Sequence, residues 1–160
     1  MRCLARPDNY SWRYCEYGLC RRVGIRAVRI LLDTHVWLWS QEAPDEFGTV
    51  ARKIILNENN ELFVSSISSL EMARLAWGER ITLKMQLRAW IAETLNWLKA
   101  ETLPITNEIA LAAYELPGEF HRDPADRILV ATAMVHQLTL ITADSRILEY
   151  PHVFSCNIRE

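Results

Sequence analysis

The sequence predicts an α/β fold, with helices on both faces of a parallel sheet of four to five strands. Three observations support this. From Val28 onward, short aliphatic runs alternate with amphipathic stretches, the pattern of repeated strand–helix units. The chain has 160 residues, the size of one domain able to bury a substantial core. Four acidic residues stand where strand-like runs end or helix-like runs begin: Asp33 in RILLDTHVWLW, Glu71 in SSISSLEMARLAWG, Asp126 in HRDPADRILVATA and Asp144 in LTLITADSRIL.

Residues 1–27 show no sustained period of either kind and are expected to form a poorly ordered extension. The pattern begins abruptly at Val28. A valine codon can start a bacterial chain, so the upstream stretch is read as a start-site artefact and residues 28–160 as the domain. Mass spectrometry of the native N-terminus tests this, and a native chain carrying residues 1–27 refutes it.

Residues 29–33 (RILLD) are a short buried strand, and 46–58 a helix with Val50, Ile54 and Ile55 on its apolar face. A second strand, 61–65, precedes a helix over 66–78, with Ser66 as N-cap and Gly78 as the stop. Residues 84–100 are the most amphipathic segment, with Leu87, Trp90, Ile91, Thr94, Leu95 and Leu98 at helical spacing. A strand at 102–105 and a helix at 107–116 behind Thr106 follow. After the loop 117–123 come a helix at 124–137, a strand at 138–142 and a last extended piece near 153–158.

The apolar fraction of 50% and charged fraction of 24% are ordinary for a soluble globular chain. No apolar run approaches the roughly 20 residues of a membrane span, and no signal peptide is evident, so a cytoplasmic chain without membrane contact is expected. The cysteines, Cys3, Cys15, Cys20 and Cys156, lack zinc-ligand spacing and are expected to be reduced thiols. Residues 1–27 carry a net +4 and the remaining 133 a net −6. An acidic body argues against nonspecific nucleic-acid binding through bulk charge, but suits a cleft that meets phosphate through cations.

Each acidic residue has a functional and a structural reading. Asp33 ends an aliphatic run, and either serves a site at the strand tip or caps a helix beginning at Thr34 or His35. Glu71 lies on or beside the apolar stripe of its helix, where Arg74 at i+3 could pair with it. In Asp123-Pro124-Ala125-Asp126, Asp123 fits an N-cap, Pro124 the first helical position and Asp126 the N3 place of a capping box. There the helix dipole would keep Asp126 ionised. Asp144 follows a strand end, and its alternative is to cap the SRIL turn. His35 and His121 neighbour Asp33 and Asp126, more often supporting than catalytic positions.

In open α/β folds the crevice outside the strands' carboxyl ends is where ligands bind. Carboxylates gathered there repel unless a hard cation holds them, which points to Mg²⁺ or Mn²⁺. No nucleophile elbow, Gly-rich phosphate loop or HExxH appears.

The segments LLDTHVWLW, VSSISSLEMA, LPIT, HRDPADRILVATA and LITAD together resemble the PIN-domain nucleases, and among them the VapC-type toxins of toxin–antitoxin pairs. They occur in order over about 115 residues, and DTHVWLW and HRDPxDR are particular to one subgroup. Leu70 departs from the aromatic that often precedes the glutamate, which leaves the chemistry intact. The resemblance implies a three-layer α/β/α sandwich and a Mg²⁺- or Mn²⁺-dependent endoribonuclease toxin restrained by a cognate antitoxin. It further implies an RNA substrate and self-association as a homodimer. Carried over by position, the catalytic quartet is Asp33, Glu71, Asp126 and Asp144, with Asp33 and Asp126 as direct metal ligands. Glu71 and Asp144 would act directly or through water.

The alternatives are a PIN-type nuclease of RNA processing or DNA repair without an antitoxin, and a non-catalytic binding module. A dehalogenase-type phosphatase needs a second Asp two residues after the first, where this chain has His35. Trp77, Trp90 and Trp97 suggest a groove between helices 66–78 and 84–100 that receives an apolar antitoxin segment; core packing of Trp90 with Trp97 at the rim is the alternative.

Overall fold

A computed structural model describes residues 27–160, and the expectation for the N-terminal extension lies outside the described residues. Five strands form one parallel sheet: β1 (Arg29–Leu32), β2 (Glu61–Ser65), β3 (Glu101–Leu103), β4 (Thr139–Thr142) and β5 (Ser155–Asn157). Their order is β3-β2-β1-β4-β5. Leu31 pairs with Phe63 on one side and Leu140 on the other, so β1 is central. Strand order reverses between β1 and β4, and that switch point fixes where a crevice opens.

Side-chain alternation divides the strands between two cores. Ile30, Leu32, Leu62, Val64 and Ile141 face one side with Val36, Trp37, Met72 and Trp90. Leu31, Phe63 and Leu140 face the other with Ile109, Leu129 and Val130. Both faces are apolar because both are covered, as the parallel-sheet pattern requires. Helices α1 (Thr34–Glu42), α2 (Thr49–Ile55) and α4 (Leu87–Leu98) cover the first face. Helices α5 (Asn107–Ala112), α6 (Pro124–His136) and α7 (Ser145–Leu148) cover the second. Helix α3 (Ser66–Trp77) serves both cores, through Met72 and Ile67 respectively. The result is the expected three-layer sandwich.

Several boundaries differ from expectation. Helix 46–58 is replaced by a 3₁₀ turn at Pro44–Glu46 and the shorter α2. The break falls at Gly48, whose N–H donates to Ile158 O at 2.9 Å. A Cβ there would stand 2.3 Å from the backbone of Glu160, so only glycine admits this close approach. Ser65, rather than Ser66, caps α3 by accepting from Ile67 N. The Ser66 hydroxyl instead holds Ile105 N at 3.1 Å, joining α3 to the end of β3. Helix 107–116 stops at Ala112, although Thr106 caps it as expected. Helices α4 and α6 end on Lys99 and Gln137, both in the left-handed conformation that closes a helix. Trp37, fully buried, donates its indole N–H to Thr94 Oγ1 at 3.0 Å, which ties α1 to α4.

Candidate active site

The four acidic residues reach one end of the sheet by four local devices. Asp33 follows β1 directly; its main-chain N–H continues the ladder to Ile141 O, and its carboxylate caps α1 through His35 N. Glu71 lies in the second turn of α3, which leaves the tip of β2. Asp126 is at the start of α6, whose cap is Asp123 and whose first residue is Pro124. Asp144 follows β4 and caps α7 by accepting from Arg146 N at 2.8 Å. The capping readings of Asp33, Asp123 and Asp144 therefore hold together with the site reading. A helix cap fixes a carboxylate beside exposed N–H groups, where it can also face a ligand.

The partners of these carboxylates divide into two kinds. Asp33 is 6% exposed, and Thr142 Oγ1 donates a hydrogen bond to its Oδ2. Thr142 Oγ1 also accepts from Asp144 N at 3.0 Å, so one hydroxyl links two of the four acids. Glu71 Oε2 accepts from Thr34 Oγ1 at 2.6 Å, whereas Arg74, mostly exposed, stands 4.0 Å away. Thr34 is thus the real partner, and the expected i,i+3 pair is the weaker contact.

Asp126 and Asp144 face charge instead. Arg146 donates to Asp144 through Nε at 3.1 Å and Nη2 at 2.6 Å, and the same Nη2 lies 3.7 Å from Asp126 Oδ2. His121 Nε2 lies 3.3 Å from that oxygen, without hydrogen-bond alignment. His121 Nδ1 accepts from Asp123 N, which places the proton of the neutral ring on Nε2, facing Asp126. Arg127 pins this loop by donating to the main-chain oxygens of Ala113, Phe120 and His121.

Electrostatics register the crowding. Burial pushes the Asp126 carboxyl up to about 7, reinforced by the charges of Asp123, Asp33, Asp144 and Glu71. The helix dipole was expected to keep Asp126 ionised, and here desolvation and four like charges outweigh it. Nor does Asp126 complete a capping box, since Asp123 N is held by His121. Burial raises Asp33 as well, against the lowering effect of Thr142. The hydrogen bonds from Arg146 hold Asp144 below its ordinary value. Burial, then the Arg146 charge, depresses His121 and keeps the ring neutral.

The donor set suits a hard divalent cation: the acids supply oxygen only, and their mutual repulsion is what a cation would relieve. In this conformation, no three acidic, histidine or cysteine side chains among the described residues are gathered as direct ligands of one ion. Hydroxyl and guanidinium partners occupy the oxygens instead. Such a site fits a cation that keeps several of its waters and takes few direct protein ligands, as Mg²⁺ does.

His35 is exposed on α1, its ring 5.9 Å from that of Trp39, and makes only main-chain contact with Asp33. Sequence reasoning did not single out Thr34, Thr142 or Arg146. Thr142, as the last residue of β4, carried the only available signal: a polar side chain directly after the apolar pair Leu140-Ile141.

The tryptophans follow the alternative reading, with Trp90 packed in the core and Trp97 exposed at its rim. Trp90 is buried and donates to Glu42 Oε1 at 3.1 Å. A cavity of about 460 Å³ lies beside it, walled by the end of α1, by Lys84 and Met85, and by Thr94 and Trp97 of α4. Trp77 is 89% exposed and takes no part in that wall.

A PIN domain family model matches residues 30–153. A ribonuclease VapC22 from Mycobacterium tuberculosis is 37% identical over 123 residues, covering 77% of this chain and 92% of that protein. Among solved structures, VapBC2 of Rickettsia felis, bound to a DNA fragment from its promoter, matches with a TM-score of 0.61 at 20% identity. The match covers 81% of this chain and 98% of that one. FitAcB of Neisseria gonorrhoeae matches with a TM-score of 0.55 at 23% identity, over 80% of this chain and 96% of that one. These two likenesses are of fold.

Proposed function

This chain belongs to the PIN-domain family, and from that premise we propose that it is a Mg²⁺- or Mn²⁺-dependent endoribonuclease toxin restrained by a cognate antitoxin. The observation that carries the reading is the convergence of Asp33, Glu71, Asp126 and Asp144 at the switch point of the sheet, with Asp126 pushed up to about 7 by burial and then by its acidic neighbours. The 37% identity to a protein named a ribonuclease supports RNA as the substrate. The likeness to chains from VapBC complexes supports an antitoxin partner.

Asp33 and Asp126 would hold the cation, with Glu71 and Asp144 contributing directly or through water. When bound, it would supply a hydroxide near neutral pH and relieve charge on the non-bridging and leaving oxygens of the phosphodiester. The chain's residues do the positioning. Thr142 fixes the orientation of Asp33, and Thr34 that of Glu71, so neither carboxylate has to be ordered as substrate arrives. The neutral His121 presents an N–H toward Asp126 without adding positive charge.

The groove beside α4 is the proposed seat of an apolar antitoxin segment, since Trp97 and Met85 stay exposed at its rim. Replacing both with alanine should weaken a co-expressed complex without loss of cleavage; a complex of wild-type strength would place the partner elsewhere.

The activity is tested by incubating the purified chain with RNA. Cleavage should stop in excess EDTA and return with Mg²⁺ or Mn²⁺, with Zn²⁺ a poor substitute at an all-oxygen site. Undiminished cleavage in chelator would overturn the metal-site reading.

A further inference from the structure

Arg146 makes contacts that neither the fold nor the proposed chemistry explains. Its guanidinium engages both oxygens of Asp144, Nε with Oδ1 at 3.1 Å and Nη2 with Oδ2 at 2.6 Å. The same Nη2 stands 3.7 Å from Asp126 Oδ2. One cationic nitrogen therefore lies between carboxylates delivered by the starts of two different helices. Helix α7 does not need this side-chain pair, because the Arg146 main-chain N–H already satisfies the Asp144 cap at 2.8 Å. Nor is it a buried structural ion pair: the Arg146 side chain is 58% exposed. The planar fork matches carboxylate geometry and takes the lone pairs that a metal would use.

Resting on the reading of the quartet as a divalent-cation site, we infer that Arg146 is a built-in counterion. It occupies the Asp126–Asp144 side of the site in the metal-free protein and withdraws when a cation binds there. Exposed pairs of this kind are weak, so the exchange is easily driven by a bound ion. The pair is still strong enough to compete, because a divalent cation and the guanidinium require the same oxygens. The metal affinity of this chain is then set by a competition inside the chain as well as by its ligands, and any anion that draws Arg146 outward favours metal entry.

The experiment is a calorimetric titration of Mn²⁺ into the metal-free full chain, comparing wild type with Arg146→Gln and Arg146→Lys. Arg146→Gln should bind Mn²⁺ about threefold to fivefold more tightly. Arg146→Lys keeps the charge without the fork and should fall between. Metal-free Arg146→Gln should unfold at a lower temperature than wild type, because the carboxylates lose their counterion, yet gain more from added Mn²⁺. A purely structural arginine would also lower the unfolding temperature, but would leave Mn²⁺ affinity unchanged or weakened, and that result overturns the inference. If neither wild type nor Arg146→Gln takes up Mn²⁺, the metal-site reading itself fails, and the inference fails with it.

Discussion

The acidic site has two sides built on opposite principles. Asp33 and Glu71 are held by threonine hydroxyls, Thr142 and Thr34, within or next to the sheet. Asp126 and Asp144 sit at helix starts and face the charge of Arg146, with the neutral His121 beside Asp126. A neutral hydroxyl orients a carboxylate and leaves its charge in place. A guanidinium orients it and cancels the charge. In the proposed metal site the first side would stay set for a cation and the second would be exchangeable.

The largest effect should come from breaking the set directly. Asp33→Asn and Asp126→Asn should each reduce RNA cleavage by a hundredfold or more, measured as initial rates in saturating Mg²⁺, because each removes a proposed direct ligand. Asp126→Asn should keep the fold and raise metal-free stability, since it relieves repulsion in a crowded cluster. Unfolding of Asp126→Asn would instead mean that this carboxylate serves the helix start.

Thr142→Val probes the hydroxyl side. It leaves the buried Asp33 without its side-chain donor and Asp144 N without its acceptor. A cost of about 1–3 kcal/mol in chemical denaturation and a roughly tenfold to hundredfold loss of rate are expected. Thr34→Val, which frees the less buried Glu71, should lose about tenfold in rate with a smaller stability cost. Equal stability losses in the two variants would erase the distinction between the buried and the half-buried acid.

Smaller but diagnostic is the pH dependence of the metal-free chain. The folded-state value for Asp126 is raised from 3.8 to about 7. A group raised on folding contributes its full stability below the unfolded value and loses it as pH rises through the folded one. Asp33 is shifted in the same direction. Asp144 is lowered, so its contribution is present above 3.8 and disappears only as pH falls through its lower folded value. His121 is depressed, so it opposes this gain once pH falls through 6.5. Thermal unfolding of the metal-free protein should therefore shift upward as pH falls from about 8 toward 6.5, and Asp126→Asn should remove most of that gain. A flat profile in the wild type would contradict the crowding of the four acids.

The same division governs what the sequence could disclose. The strands, the two-sided core, Asp123 as cap and Pro124 as first helical residue follow from period, apolar runs and local backbone chemistry. The placement of the four carboxylates was legible, because chain position puts strand tips and the first turns of the following helices at one end of a parallel sheet. The threonine partners were not, since Thr142 meets Asp33 across 109 residues and Thr34 meets Glu71 across 37. The protonation of Asp126 was misjudged for the same reason. The dipole that favours its charge is local, whereas three of the carboxylates that oppose it arrive from β1, α3 and the end of β4. Gly48 shows the reverse limit: an unremarkable glycine interrupts the expected helix and delays its start, because Arg159 and Glu160 pass against it. Trp77 looked like groove lining from helical spacing, but it is exposed and does not line the cavity that Trp97 borders.

The most direct test of a single cation site shared by the four acids is Mn²⁺ calorimetry on the metal-free chain at pH 6 and pH 8, with Asp126→Asn beside wild type. Metal must meet an ionised Asp126, so wild type should release more of a proton per Mn²⁺ bound at pH 6, below the value of about 7, than at pH 8. Asp126→Asn should bind far more weakly and lose that pH-dependent release. Binding of equal strength in the variant, with the same proton release, would show that the metal sits elsewhere and that the quartet is not its site.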